Sequence, residues 1–134
     1  MQKTIMLSLL LACGTAQASD WVSVGAIVGE TSYIDRSSIR VSGNIRRAWI
    51  MLVYTSHTQR GSGDDSNKWR SYDLSREAFD CAQELGRAEA LSVYYEDGTN
   101  YSVSSEYTPS AWRSIPPDTI ADIQMKFVCA SNPN

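Results

Sequence analysis

Residues 38–56, SIRVSGNIRRAWIMLVYTS, decide the fold. Ser42-Gly43-Asn44 interrupts two runs of strand-forming residues, and Gly and Asn both tolerate the positive φ that a tight reversal needs. The stretch therefore predicts a β-hairpin. Side chains alternate between the faces of a strand, so Ile45, Arg47, Trp49, Met51 and Val53 share one face and Ala48, Ile50, Leu52 and Tyr54 the other. Apolar residues on both faces point to a central strand with a covering layer on one side.

Working outward, WVSVGAIV (21–28) and TSYIDRSSI (31–39) read as short β segments separated by Gly29 and Glu30. Beyond the hairpin, RSYDLSREAFDCA (70–82) and RAEALSVYYED (87–97) predict two further strands linked around Gly86. Asp97-Gly98 marks a turn before NYSVSSEY (100–107). Strands in hairpin order imply an antiparallel sheet. Between them, SHTQRGSGDDSNKW (56–69) has no hydrophobic periodicity and predicts a long mobile loop. The ending changes character. In IPPDTIADIQMKFVCA (115–130) a Pro pair precedes Thr119 and Asp122 at capping-box spacing. Ile120, Ile123 and Phe127 then recur at helical spacing, with Ala121, Met125 and Val128 widening the stripe. The expected fold is α+β, an antiparallel sheet of about six strands covered by one C-terminal α-helix.

The N-terminus has the parts of a secretory signal: Lys3, an apolar run from Thr4 to Ala12, and the small-x-small pattern Ala16-Gln17-Ala18. Residues 1–18 read as the signal peptide and residues 19–134 as a single domain. The apolar run is about half the length that spans a bilayer, so no transmembrane segment is expected. A rival reading starts from Leu10-Leu11-Ala12-Cys13, which looks like a lipobox with Cys13 as the acylated residue. Both readings export the protein, to the periplasm or outer surface of a Gram-negative-type bacterium. All 15 acidic residues and all basic residues but Lys3 follow residue 18, leaving a mildly acidic domain. That composition speaks against a nucleic-acid partner.

Cys81 and Cys129 are the cysteines left after residue 18, an even pair in an oxidising compartment, and they predict a disulfide. In the chain-entropy description, closing that loop contributes about 4 kcal/mol. The bridge would bolt the helix to the Cys81 strand. His57 is the sole histidine, which excludes a Ser-His-Asp, Cys-His or multi-His metal site within one chain. Asp64-Asp65 lacks the ligand spacing of a calcium loop, and Gly61 and Gly63 lack the Lys of a phosphate loop. Asp73 and Glu77 are expected on one sheet face and Asp80 on the other, solvated and not a facing acid pair. No catalytic residue, metal or cofactor is expected. Arg60, Lys68, Trp69 and Arg70 flank the polar loop, and Trp and Arg are the types that carry binding energy at interfaces. They are the expected partner contacts.

The ordered set WVSVG, SYIDRSSI, GNIRRAW, FDC, YY…G, SAWRSIPPDT and FVC resembles the surface-adhesin protein E family across Trp21 to Cys129. The resemblance implies an exported, non-enzymatic binding domain that contacts a protein or glycan partner, host extracellular matrix included. It also implies the sheet, helix and disulfide reached above. The loop from Ser56 to Lys68 and the segment after Tyr95 depart from the family pattern. The alternative is a soluble periplasmic accessory or envelope-structural protein without host contact, and open sheet edges leave room for a homodimer.

Overall fold

The computed structural model describes residues 18–103 and 110–132. The signal-peptide reading of residues 1–18 and the lipobox at Cys13 lie almost wholly outside the described residues. Eight strands form one antiparallel sheet: β1 (Trp21–Ile27), β2 (Glu30–Asp35), β3 (Arg40–Ser42), β4 (Ile45–Tyr54), β5 (Arg70–Asp80), β6 (Leu85–Tyr95), β7 (Asn100–Val103) and β8 (Arg113–Ser114). The main order is β1-β2-β4-β5-β6-β7, with β3 paired to β4 and the two-residue β8 to β6. Helix α1 (Ile120–Ala130) closes the domain.

The hairpin of residues 38–56 forms as its sequence dictates. Gly43, at φ 61°, makes the reversal, and β4 is central, between β2 and β5. Its even face is the covered one: Ala48 and Ile50 are buried with Ile34, Ile39, Phe79, Met125 and Val128. The helix rests on this face, over β1, β2, β4 and β5. The Thr119 hydroxyl accepts from the Asp122 amide, so the predicted cap is in place. The buried side of α1 is centred on Met125 and Val128, with Gln124 buried beside them. The Ile120–Ile123–Phe127 row flanks that centre instead of forming it. Gln124 is accommodated because its Nε2 donates to the Ser32 hydroxyl of β2 (3.0 Å). Cys81 and Cys129 are bridged, with Cα atoms 5.8 Å apart. The bridge ties the end of β5 to the last turn of the helix, and Arg46 adds hydrogen bonds to the carbonyls of Val128 and Ser131.

Three sequence readings are corrected. The β5–β6 turn is Cys81–Glu84 and not Gly86: the Asp80 carboxylate accepts from the amides of Ala82 and Gln83 and organises the reversal. Gly86 lies inside β6, where a Cβ would stand 2.9 Å from the Ile115 side chain. The segment 56–69 is not structureless. It is a folded hairpin extension, with an Arg60–Trp69 bridge and a 3-10 turn at Gly63–Asp65. Its backbone bonds run from Gly61 N to Lys68 O, Lys68 N to Asp65 O and Arg70 N to Gln59 O. Polar residues close it through backbone pairing, which leaves no hydrophobic period to read. Finally, Asp73 is buried and Glu77 shares its helix-covered face, so neither stands on a solvated face.

Candidate functional site

The four residues expected as contacts lie together on the hairpin extension and its exit. The Arg60 guanidinium stacks 3.7 Å above the Trp69 ring, and His57 meets that ring edge-on at 5.2 Å. His57 in turn pairs with Glu96 (3.2 Å) and is largely exposed, as its loop position suggests. Lys68 and Arg70 turn to the other neighbours of the hairpin. Lys68 Nζ binds Asp65 (2.9 Å) and sits 5.3 Å from the Tyr95 ring. Arg70 Nη1 donates to Asp73 Oδ2 (2.8 Å), to which the Tyr54 hydroxyl also donates (2.7 Å). Burial pushes the Asp73 carboxyl above its usual value, against the pull of Tyr54 and Arg70. The same burial, with Asp73 beside it, pushes the Tyr54 hydroxyl up. Among the four, Arg60 and Trp69 offer outward surface, while Lys68 and Arg70 latch the hairpin onto Tyr95 and Asp73.

A second constellation lies on the face of the sheet opposite the helix. Strand register assembles it. Arg40 pairs with Arg47, Trp49 with Arg76, Arg47 with Ala78, and Ala78 with Arg87, so all four arginines and Trp49 share one face. Glu89, two residues along β6 from Arg87, falls on the same face, and a one-residue slip between β5 and β6 at Arg76 and Glu77 leaves it beside Arg76. Its carboxylate accepts from Arg47 Nε (3.1 and 3.0 Å) and Arg87 Nη2 (3.2 Å), and Arg76 Nε is 3.3 Å away. The Glu89 side chain is only 6% exposed, while those of Arg47, Arg76 and Arg87 are 35%, 40% and 24% exposed. Burial works against the Glu89 charge, but the hydrogen bonds and charges of Arg47, Arg87 and Arg76 outweigh it and hold the carboxyl below its usual value. One negative charge thus gathers three guanidinium groups and leaves a local positive excess on a chain that is acidic as a whole.

Beside that cluster is a cavity of about 260 Å³ lined by Ser38, Arg40, Arg47, Ala48, Trp49 and Arg76. Its wall is the short turn Arg36–Ser38, capped by the Asp35 carboxylate, which accepts from the Ser37 amide and hydroxyl. The Ser38 hydroxyl donates to Asp35 O (2.6 Å) and accepts from Trp49 N (2.9 Å). Arg40 Nη1 folds back onto the carbonyls of Ser37 and Ile39, both at 2.9 Å. Further along the same face, Arg87 lies 4.5 Å above the Trp112 ring, and Tyr72 and Tyr94 stack at 4.3 Å. No described element covers this face.

The SYIDRSSI and SAWRSIPPDT stretches acquire physical roles here: the first builds the cavity wall, and the second carries Trp112 and the approach to the helix cap. The family model for surface-adhesin protein E matches residues 21–130. The chain belongs to the surface-adhesin protein E family. Neither the curated proteins nor the solved structures compared with it contain a match. Membership points to an exported surface adhesin that binds a protein or glycan partner. Among the described residues, no helix is long and apolar enough to cross a membrane, and no group of three His, Cys, Asp or Glu residues is placed to hold a metal ion.

The open-face cluster was not found from the sequence. Arg47 and Trp49 are visible as a same-face pair in β4, but Arg40, Arg76, Arg87 and Glu89 join them only through register and a bulge.

Proposed function

We propose that this surface-adhesin E protein is an exported, non-enzymatic binding domain whose partner, a host extracellular-matrix protein or glycan, docks on the sheet face opposite the helix. The observation that carries this reading is the asymmetry of the sheet. One face is closed by α1 and the folded hairpin. The other presents Arg40, Arg47, Arg76, Arg87, Trp49 and Trp112 with no described cover. Arg and Trp are the residue types that dominate interface energies when they lie near the centre of a contact. Arg60 and Trp69, on the hairpin, extend the contact surface, with Lys68 and Arg70 holding that hairpin in position.

In this reading residues 1–18 direct export and residues 19–134 form the working domain. A plate assay of the purified protein on basement-membrane extract tests it, using wild type, Arg60→Ala/Trp69→Ala and Arg76→Ala/Arg87→Ala. Saturable binding that weakens in either variant, each still folded with a cooperative thermal transition, is the expected result. Absence of saturable binding by the folded wild type would overturn it. The Ala16-Gln17-Ala18 pattern favours a second reading, a soluble periplasmic accessory protein. Protection from added protease on intact cells, with release alongside periplasmic proteins, is the outcome that selects it.

A further inference from the structure

The geometry points to the Arg40–Arg47–Arg76 cavity as a binding site for an acidic saccharide unit, one sugar ring carrying a sulfate or carboxylate. The inference rests on the binding-domain reading and names the chemistry that one part of the open face selects. Three guanidinium-bearing residues line a single recess, and none of its lining residues is acidic. The nearest carboxylate, Glu89, engages Arg47 through Nε, and its approach to Arg76 is likewise at Nε. The terminal amino groups at the far ends of those two forks are not used by Glu89. Planar guanidinium groups match the paired oxygens of sulfate and carboxylate better than a point-charge ammonium does.

The shape argues for a sugar. At about 260 Å³ the recess is just below the range that encloses a drug-sized molecule, and it suits one small ring with its substituent. Trp49 supplies an apolar wall for the C–H face of that ring, and the Ser38 hydroxyl lies on the same lining. The wall is pre-formed: Ser38 is fixed to Asp35 and Trp49, and Arg40 is folded onto the carbonyls of its own turn. Little ordering is left for binding to impose. The overall acidity of the chain opposes long-range capture of an extended polyanion such as a nucleic acid, and weighs less on a short saccharide that seats one anionic ring in the recess.

Calorimetric titration of the purified protein tests this with three probes: a heparin-derived tetrasaccharide (sulfate and carboxylate), sialyllactose (carboxylate alone) and lactose (neither). The proteins are wild type, Arg40→Ala/Arg76→Ala and, as a control on the solvent side of helix α1, away from both contact regions, Lys126→Ala. Wild type is expected to bind at least one acidic saccharide and not lactose, with affinity falling as salt is raised. The double variant is expected to lose tenfold or more while keeping a cooperative thermal transition, and Lys126→Ala to match wild type. Which acidic probe binds identifies sulfate or carboxylate as the recognised group. The assignment is overturned if neither acidic saccharide binds, if the double variant binds as wild type does, or if a poly-glutamate peptide binds at these arginines while the saccharides do not. Retained binding to basement-membrane extract in any of those cases would sink the saccharide assignment alone. Loss of that binding as well would sink the binding-domain reading with it.

Discussion

On the helix-covered face, Ile34, Ile50, Phe79 and Val128 are closed to solvent. On the opposite face Glu89 is also buried, yet the arginines around it keep part of their surface in water. The two faces also treat their acids differently. Glu77 projects from β5 on the covered face, opposite Ala48, and burial pushes its carboxyl above the usual value. Glu89, on the open face, is held below the usual value by Arg47, Arg87 and Arg76 despite burial. The covered face is a scaffold whose stability comes from apolar packing and the bridge to the helix. The open face is an electrostatic surface whose buried acid, Glu89, fixes the side chains that a partner would meet.

The sharpest way to break this contrast is to damage the covered face. Phe79→Ala should cost about 3–5 kcal/mol in urea unfolding, through lost apolar contact and the cavity left under the helix. A loss below about 1 kcal/mol would mean that the covered face is not the source of stability.

Glu89→Gln should cost less, about 1–2 kcal/mol at pH 7, because its arginine partners are partly exposed and screened. Its sign with pH is fixed. A carboxyl held low in the fold stabilises above the ordinary value of 4.5, and that contribution is lost as pH falls through the lowered value. The difference between wild type and Glu89→Gln should therefore shrink on acidification, measured by thermal melts from pH 7 to 3.

Glu77→Gln should have the smallest effect and the opposite sign. A carboxyl raised in the fold costs stability once pH climbs from the ordinary value of 4.5 through its raised value. Removing the charge should leave the protein unchanged or more stable at pH 7, by under about 1 kcal/mol, and the advantage should vanish below pH 4.5. A destabilised Glu77→Gln at pH 7 would show that this carboxylate is held by a partner and not merely buried.

Most of the scaffold was legible because its signals are local. Gly43 turns the hairpin, the alternation from Ile45 to Tyr54 marks a central strand, and Thr119 caps the helix. The cysteine pair needed only arithmetic. The open-face site was not legible, since its members come from β3, β4, β5 and β6 and meet through cross-strand register. The bulge at Glu89 adds a one-residue slip, so alternation counted from Arg87 assigns the wrong face from Ala90 onward. The hairpin at 56–69 hid for a different reason: its order comes from backbone pairing, and side-chain periodicity carries no trace of it. Gly61 is the one clue, since a Cβ there would collide with Asp65 O and the Tyr95 ring.

The four tryptophans report on separate parts of the molecule: Trp49 and Trp112 on the open face, Trp69 on the hairpin and Trp21 on the edge strand β1. Following their indole N–H signals by NMR, as the 15N-labelled protein is titrated with the heparin-derived tetrasaccharide, tests the open face directly. The expected result is a saturable shift that is largest at Trp49, smaller at Trp112 and absent at Trp21 and Trp69. Movement of Trp69 with Trp49 unchanged, or four unmoved signals, would contradict the assignment of binding to the arginine-lined face.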